Sequence, residues 1–132
     1  MTSFETMPLP ADPSAVAPDG SQVRVLLRLA GGSMAHFELA TGQVSVAVRH
    51  RTVEEVWYLL GGTGRMWRRS RDGTADVVAL AEGICLTIPV GTEFQFRADE
   101  DGPLTAVAVT MPPWPGADEA EIVTGLWTPS AT

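Results

Sequence analysis

One short segment, residues 41–62, brings together the side chains of this sequence that are best suited to acid–base chemistry or metal binding. It contains His50, one of only two histidines in the chain, and the adjacent carboxylates Glu54 and Glu55, with glycines at both ends. An imidazole and a carboxylate can bind a divalent cation, and they can also exchange protons with a substrate. We therefore expect any functional site to include this segment.

Composition limits the classes of function. The chain has 132 residues, of which 45% are apolar and 19% are charged, as expected for one globular domain. Its net charge of -7 argues against binding to nucleic acid, which needs a basic surface to neutralise phosphates. Every basic residue apart from histidine is an arginine. Because there is no lysine, Schiff-base chemistry and a phosphate-binding loop are excluded.

The cellular location is predicted from what the sequence lacks. Cys85 is the only cysteine, so no internal disulfide can form, and we expect this side chain to be a small buried apolar group. No basic residue precedes Arg24, unlike in a signal peptide, and no apolar run approaches the length of a membrane span. These features predict a soluble cytoplasmic protein without a membrane partner.

Short apolar runs separated by glycine and proline turns predict about ten strands and an all-β sandwich or barrel at residues 23–111. Residues 43–49 alternate in the period of a half-buried strand. Residues 52–60 have mixed signals, because a helical spacing competes with β-favouring side chains. We assign them to a strand, since a lone short helix would be poorly supported among strands. Residues 1–22 are predicted to form a proline-rich arm, and residues 112–132 a tail that packs on the barrel.

Two sets of residues have the spacing of the two motifs of the cupins, and the chain resembles that family over residues 23–111. The first set is Gly42, Val48, His50, Glu55 and Gly62, and the second is Gly83, Pro89, Gly91, Phe94 and Ala98. The resemblance implies a double-stranded β-helix, or jelly roll, barrel. Cupins usually hold a divalent metal with three histidines and one glutamate.

The resemblance is incomplete at the metal ligands. The four matching positions hold Val48, His50, Glu55 and Phe94, and neither valine nor phenylalanine can donate a lone pair. The resemblance therefore implies at most a weak site for one divalent ion (Fe, Mn, Ni or Zn) at His50 and Glu55. His36 could supply a third ligand. With a three-residue loop at 41–43 it would lie opposite Val48 inside the barrel, and with a two-residue loop it would point outward.

The walls of the barrel are predicted to bind a ligand. Alternation places Glu55 and Trp57 inward, with Phe94 and Phe96 on the opposite wall and Val48 beside His50. Burial there would raise the pKa of the Glu55 carboxyl, and an imidazolium nearby would oppose that shift. His50 and Glu55 are therefore candidate catalytic residues even without metal.

Three functions remain open. The chain could be a small metal-dependent cupin enzyme that acts on a small organic molecule, or a metal-free isomerase, epimerase or ligand-binding protein that uses His50 and Glu55. It could also be a non-catalytic interaction module. Since cupin barrels commonly pair through an edge strand, the resemblance also implies a homodimer.

Overall fold

The computed structural model describes residues 3–131. It contains eleven β-strands and one short 3₁₀ helix within that range. The strands are β1 Ala15–Val16, β2 Gln22–Leu29, β3 Gly32–Leu39, β4 Val48–His50, β5 Glu54–Gly61, β6 Gly64–Arg69, β7 Ala75–Leu80, β8 Cys85–Ile88, β9 Glu93–Ala98, β10 Leu104–Met111 and β11 Ala120–Ile122. The 3₁₀ helix is Ala117–Glu119.

The strands form two antiparallel sheets. One has the order β1, β2, β3, β10, β5, β8, and the other has the order β11, β4, β9, β6, β7. A single cluster of buried apolar side chains, including Trp57, Met66 and Phe96, takes residues from both sheets. The all-β prediction is confirmed, and the two sheets form a jelly roll around this core.

Strand β5, Glu54–Gly61, covers most of residues 52–60, whose sequence signals disagreed, so the strand assignment is confirmed. Side chains along β5 alternate between exposed and buried positions. Glu55, Trp57 and Leu59 are buried, whereas Glu54 and Tyr58 are exposed. The period of two therefore overrides the helical spacing, because β5 pairs with β10 on one side and β8 on the other.

The strand predicted at residues 43–49 is wrong in its extent. Only Val48–His50 is regular strand, and before it Val44 makes an isolated bridge to Arg97. The backbone here bonds to several distant parts of the chain, including Asp19, whose carbonyl oxygen accepts the Val46 N–H at 2.8 Å. Ala47 is buried like its neighbour Val48, contrary to the alternation expected for residues 43–49, and its carbonyl oxygen accepts a hydrogen bond from the C-terminal segment.

Both ends of the chain join the sheets. β1 lies within the predicted arm and pairs with the edge of β2, and β11 lies within the predicted tail and pairs with β4. Beyond β11, Gln95 donates to the carbonyl oxygen of Trp127 at 2.8 Å and accepts the Trp127 N–H at 2.9 Å. The tail therefore covers the outer face of β9 and buries Gln95 completely.

Cys85 differs from its prediction. It is exposed, because it begins β8, a strand at the edge of its sheet, and points away from the core. No helix in the described range is long and apolar enough to span a membrane.

Candidate functional site

A cavity of about 400 Å³ lies between the two sheets. Four aromatic rings line it: Phe37, Trp57, Phe94 and Trp114. Phe37 and Trp57 stack with 5.4 Å between ring centroids and 2° between planes. The cavity wall is mainly apolar, and three ionisable groups that reach it are almost completely buried: Asp19, His50 and Glu55.

Glu55 lies on the inward face of β5, as predicted, and only 3% of it is exposed. Its Oε1 accepts a hydrogen bond from Trp57 Nε1 at 3.1 Å. Burial raises the pKa of the Glu55 carboxyl to about 7, although the bond from Trp57 opposes that shift and the charge of Asp19 adds to it. Near neutral pH this side chain therefore exists in both its acidic and its basic form.

His50 ends β4 on the facing sheet and is 6% exposed. The edges of two aromatic rings surround its imidazole, with centroid distances of 5.2 Å to Phe94 and 5.0 Å to Trp114. Burial lowers the pKa of His50 to about 4, although the charge of Glu119 opposes that shift. The imidazole is therefore neutral at physiological pH.

His50 and Glu55 face each other without a hydrogen bond. His50 Nδ1 lies 3.9 Å from Glu55 Oε1, which is too long for one, and Nδ1 is buried without any partner. Since the imidazole is neutral, the two groups do not form an ion pair at neutral pH. A buried polar atom that lacks a partner is costly, so this nitrogen is a candidate to interact with a ligand.

Trp114 is held in place by two hydroxyl groups on the six-stranded sheet. The backbone N–H of Trp114 donates to Ser33 Oγ at 3.0 Å, and Ser33 is hydrogen-bonded to Thr110. Both hydroxyl residues line the cavity, and Thr110 is the direct neighbour of Glu55 across β10 and β5. These contacts fix the backbone of Trp114, whose indole packs against His50.

The two positions where the cupin resemblance expects further metal ligands hold carbon only. Val48 and Phe94 both line the cavity, so these two predicted ligand-binding residues belong to it together with Trp57. Phe96 does not line it. Phe96 is two residues further along β9, where it packs edge-on against Trp57 at 5.1 Å in the closed core.

His36 does not join the site, which corrects the prediction of a third metal ligand. Its two neighbours in β3, Ala35 and Phe37, line the cavity, so alternation turns His36 to the opposite face, beside Arg24. His36 does not lie opposite Val48, because β3 pairs with β2 and β10, whereas residues 48–50 belong to the other sheet. Within residues 3–131 no group of three His, Cys, Asp or Glu side chains could hold a metal ion.

Asp19 is the residue of this site that sequence analysis missed. It lines the cavity from the loop between β1 and β2 and is 6% exposed. Burial raises the pKa of its carboxyl, although the hydrogen bonds from Ser21 oppose that shift. Residues 1–22 lack a hydrophobic period, but Pro18-Asp19-Gly20 is a turn signature and could have indicated an ordered loop.

Solved structures with similar architecture are numerous. CapF, a capsular polysaccharide assembling protein from Staphylococcus aureus, superposes with a TM-score of 0.69 at 14% identity, over 80% of this chain and 32% of CapF. This chain therefore spans about a third of the length of CapF. A Klebsiella pneumoniae protein with a double-stranded β-helix domain gives a TM-score of 0.64 at 14% identity, over 80% of this chain and 85% of that one. The chain has the cupin fold.

A variant of oxalate decarboxylase from B. subtilis also superposes on this cupin barrel, with a TM-score of 0.71 at 15% identity, over 86% of this chain and 31% of that one. No protein-family model and no curated protein matches the sequence. At these identities the similarity establishes the fold of the barrel, and the resemblance carried by the two sequence motifs is confirmed at that level.

Proposed function

We propose that this cupin barrel binds a small, mainly apolar organic molecule in its cavity and exchanges protons with it through Glu55 and His50, without a metal. The observation that carries the proposal is a buried carboxyl with a pKa of about 7, located 3.9 Å from a neutral, unpartnered imidazole nitrogen in an aromatic cavity. A general acid or base works best when its pKa lies near the operating pH.

The reaction class that fits these groups is an isomerisation or epimerisation by proton transfer. Ionised Glu55 removes a proton from a carbon or oxygen acid of the ligand and forms an O–H bond, and the electron pair stays on the ligand. Protonated Glu55 then returns the proton at a second atom, or, in an epimerisation, on the other face after the ligand has turned in the cavity. No oxidant, reductant or co-substrate is consumed, and neutral His50 can accept a hydrogen bond from the ligand meanwhile.

A metal-dependent reaction is less well supported by the donor set. His50 contributes one imidazole and Glu55 one carboxylate, while Val48 and Phe94 fill the other two positions with hydrocarbon. His36 lies on the other face of β3. The residues present therefore do not fit the usual divalent ion of cupins, and no step is assigned to one. A purely structural interaction module would not account for two buried acids in a cavity.

Ligand-observed NMR with a set of small aromatic and aliphatic molecules tests the proposal. We expect binding to the wild type in the presence of a chelator, and loss of at least about tenfold in affinity in Glu55→Gln and in His50→Gln. Glu54→Gln is the matched control, because Glu54 is adjacent but exposed on the outer face. Binding that survives both cavity substitutions, or that the chelator abolishes, would overturn the proposal.

A further inference from the structure

We infer that the ligand carries a protonated amine on an apolar body, and that Asp19 and Glu55 are the two carboxyl groups that receive the amine. This inference rests on the proposed ligand-binding function, because it names the chemical class of molecule that the same cavity takes. Three features of the cavity favour such a ligand: its acids, its aromatic walls and the rigidity of the loop that carries Asp19.

The two acids lack a cationic partner. Within residues 3–131, the only potentially basic group within 4 Å of either carboxyl is His50, whose Nδ1 lies 3.9 Å from Glu55 Oε1, too far for a hydrogen bond. Arg28 lines the cavity, but it is exposed and forms no ion pair with either acid. A buried carboxylate needs a charged partner or several hydrogen bonds to offset its loss of hydration.

The hydrogen bonds of the two acids leave acceptor positions free. Glu55 accepts one bond, from Trp57 Nε1. Asp19 accepts two, from the N–H of Ser21 at 2.9 Å and its hydroxyl at 2.6 Å, and both reach Oδ1. A primary ammonium has three N–H donors. Asp19, Glu55 and His50 all line the cavity, and they offer such a donor group acceptors in Asp19 Oδ2, Glu55 and the unpartnered His50 Nδ1.

The walls suit the rest of such a molecule. Trp57, Phe94 and Trp114 present aromatic surface to the same cavity as the acids. Aromatic faces attract cations through their quadrupole, most strongly in the case of tryptophan, and the rings also bind the apolar body. A ligand with a carboxylate would instead be repelled by both acids, whose charges already interact with each other.

Asp19 is held rigidly at its position. Its backbone oxygen accepts the Val46 N–H at 2.8 Å, and the turn is closed by a bond of 2.9 Å from Gly20 N–H to Ala17 oxygen. Gly20 has φ of 90° and packs so closely that a Cβ there would lie 2.8 Å from Ala131 Cβ. The carboxyl is thus fixed before the ligand binds, which lowers the entropy cost of binding.

Two matched series of probes test the inference: phenethylamine, phenethyl alcohol and phenylacetate, and butylamine, butanol and butanoate. Affinities are measured by ligand-observed NMR at pH 8, where Glu55 is mostly ionised. In at least one series we expect the amine to bind at least about tenfold more tightly than the alcohol, with the carboxylate weakest.

Substitutions assign the effect to the two acids. Asp19→Asn keeps the Oδ1 acceptor for Ser21 and removes the charge, and Glu55→Gln keeps the acceptor for Trp57. In the double variant the preference for amine over alcohol should fall to within about twofold, and each single variant should lower it by at least about threefold. Asp12→Asn, in the exposed part of the arm, is the control and should change nothing.

The outcomes separate this inference from the proposed function. If the alcohol or the carboxylate binds as tightly as the amine, and Glu55→Gln weakens its binding, the cavity function stands and the ammonium preference is wrong. If no probe of either series binds, both are overturned. If Asp19→Asn unfolds at the same temperature as the wild type and keeps its preference for the amine, the assignment to Asp19 is wrong.

Discussion

Val48 and Phe94 lie directly opposite each other in the antiparallel pairing of β4 and β9, and His50 follows Val48 two residues later on the same strand. The imidazole therefore has hydrocarbon neighbours at the places where the cupin resemblance expects metal-binding nitrogen. The edge of the Phe94 ring packs on His50, and Val48 is completely buried. Closely packed hydrocarbon fills both of these positions.

This relationship predicts that the double substitution Val48→His with Phe94→His creates a metal site in an otherwise unchanged barrel. The new imidazoles would join His50 and Glu55, and together they would provide the three histidines and one glutamate expected of the family. We expect Zn²⁺ to raise the unfolding free energy of this variant by about 3 kcal/mol at an ion concentration of about a hundred times Kd. Thermal unfolding with and without Zn²⁺ measures the effect.

The wild type serves as one control for this experiment, and the same double variant with His50→Gln as another. Neither should gain comparable stability from Zn²⁺. An equal gain in unfolding free energy in all three proteins would mean that the ion binds elsewhere on the surface. Val48 and Phe94 would then not be the reason why the wild type lacks a metal site.

Glu55 should make the protein less stable as pH rises. Burial raises its folded pKa from 4.5 to about 7, so the folded state holds its proton more tightly than the unfolded state. Stability is therefore lost as pH increases from about 4.5 to about 7, by about 3 kcal/mol. Glu55→Gln removes this loss, so the variant should become more stable relative to the wild type as pH rises over that interval. Urea unfolding at pH 5 and pH 8 measures the difference.

Glu54→Gln provides the comparison, since its carboxylate is exposed on the same strand and should show no such gain. If the unfolding free energies of Glu55→Gln and the wild type differ by the same amount at both pH values, the pKa of the Glu55 carboxyl is not raised in the folded state.

His50 should act in the opposite direction at lower pH. Burial depresses its folded pKa from 6.5 to about 4, so the unfolded state binds the proton first. The wild type should therefore lose stability as pH falls from about 6.5 to about 4, by about 3 kcal/mol relative to His50→Gln. Guanidinium unfolding at pH 7 and pH 4.5 checks this. The prediction is wrong if the difference in unfolding free energy between the wild type and His50→Gln is the same at pH 4.5 as at pH 7.

The contact of the tail with β9 should be sensitive to one methyl group. A Cβ at Gly125 would lie 2.6 Å from Ala47 Cβ and would also meet the amide of Gln95. We expect Gly125→Ala to lower the free energy of unfolding by about 1–3 kcal/mol, because a packed interior does not absorb extra volume cheaply. Gly31→Ala, where a Cβ meets nothing within 4 Å, should change it by less than about 0.5 kcal/mol. Equal effects would contradict this account.

Local patterns in the sequence predicted the parts of the site that depend on one strand. The period of two in β5 places Glu55 and Trp57 inward whatever strand pairs with it. The side of the sheet on which His36 lies depended on its pairing partner. β3 pairs with β2 and also with β10, which lies about 70 residues away along the chain, and turn signals near His36 do not report on the pairing with β10. The homodimer implied by the resemblance remains a prediction, which sedimentation can test.

Asp19 and Phe96 show the same limit. Asp19 reaches the cavity through contacts with Val46 and with the end of the chain, neither of which leaves a periodic pattern in residues 1–22. Phe96 has the inward parity that was predicted, but parity does not tell how deep a side chain lies along the barrel. Inward-facing residues line both the open cavity and the filled core. Only packing across both sheets decides which of the two a given residue joins.

The position of Asp19 has a consequence for how such proteins can diverge. The residues that define the barrel and the loop that supplies the second acid belong to different stretches of the chain. The loop contacts the barrel through the backbone bond from Val46 N–H to Asp19 and through a turn packed against Ala131. Exchange of that loop would alter the charge offered to a ligand without disturbing either motif. Two chains could therefore share this barrel in full and still differ in the charge of the molecules that they prefer.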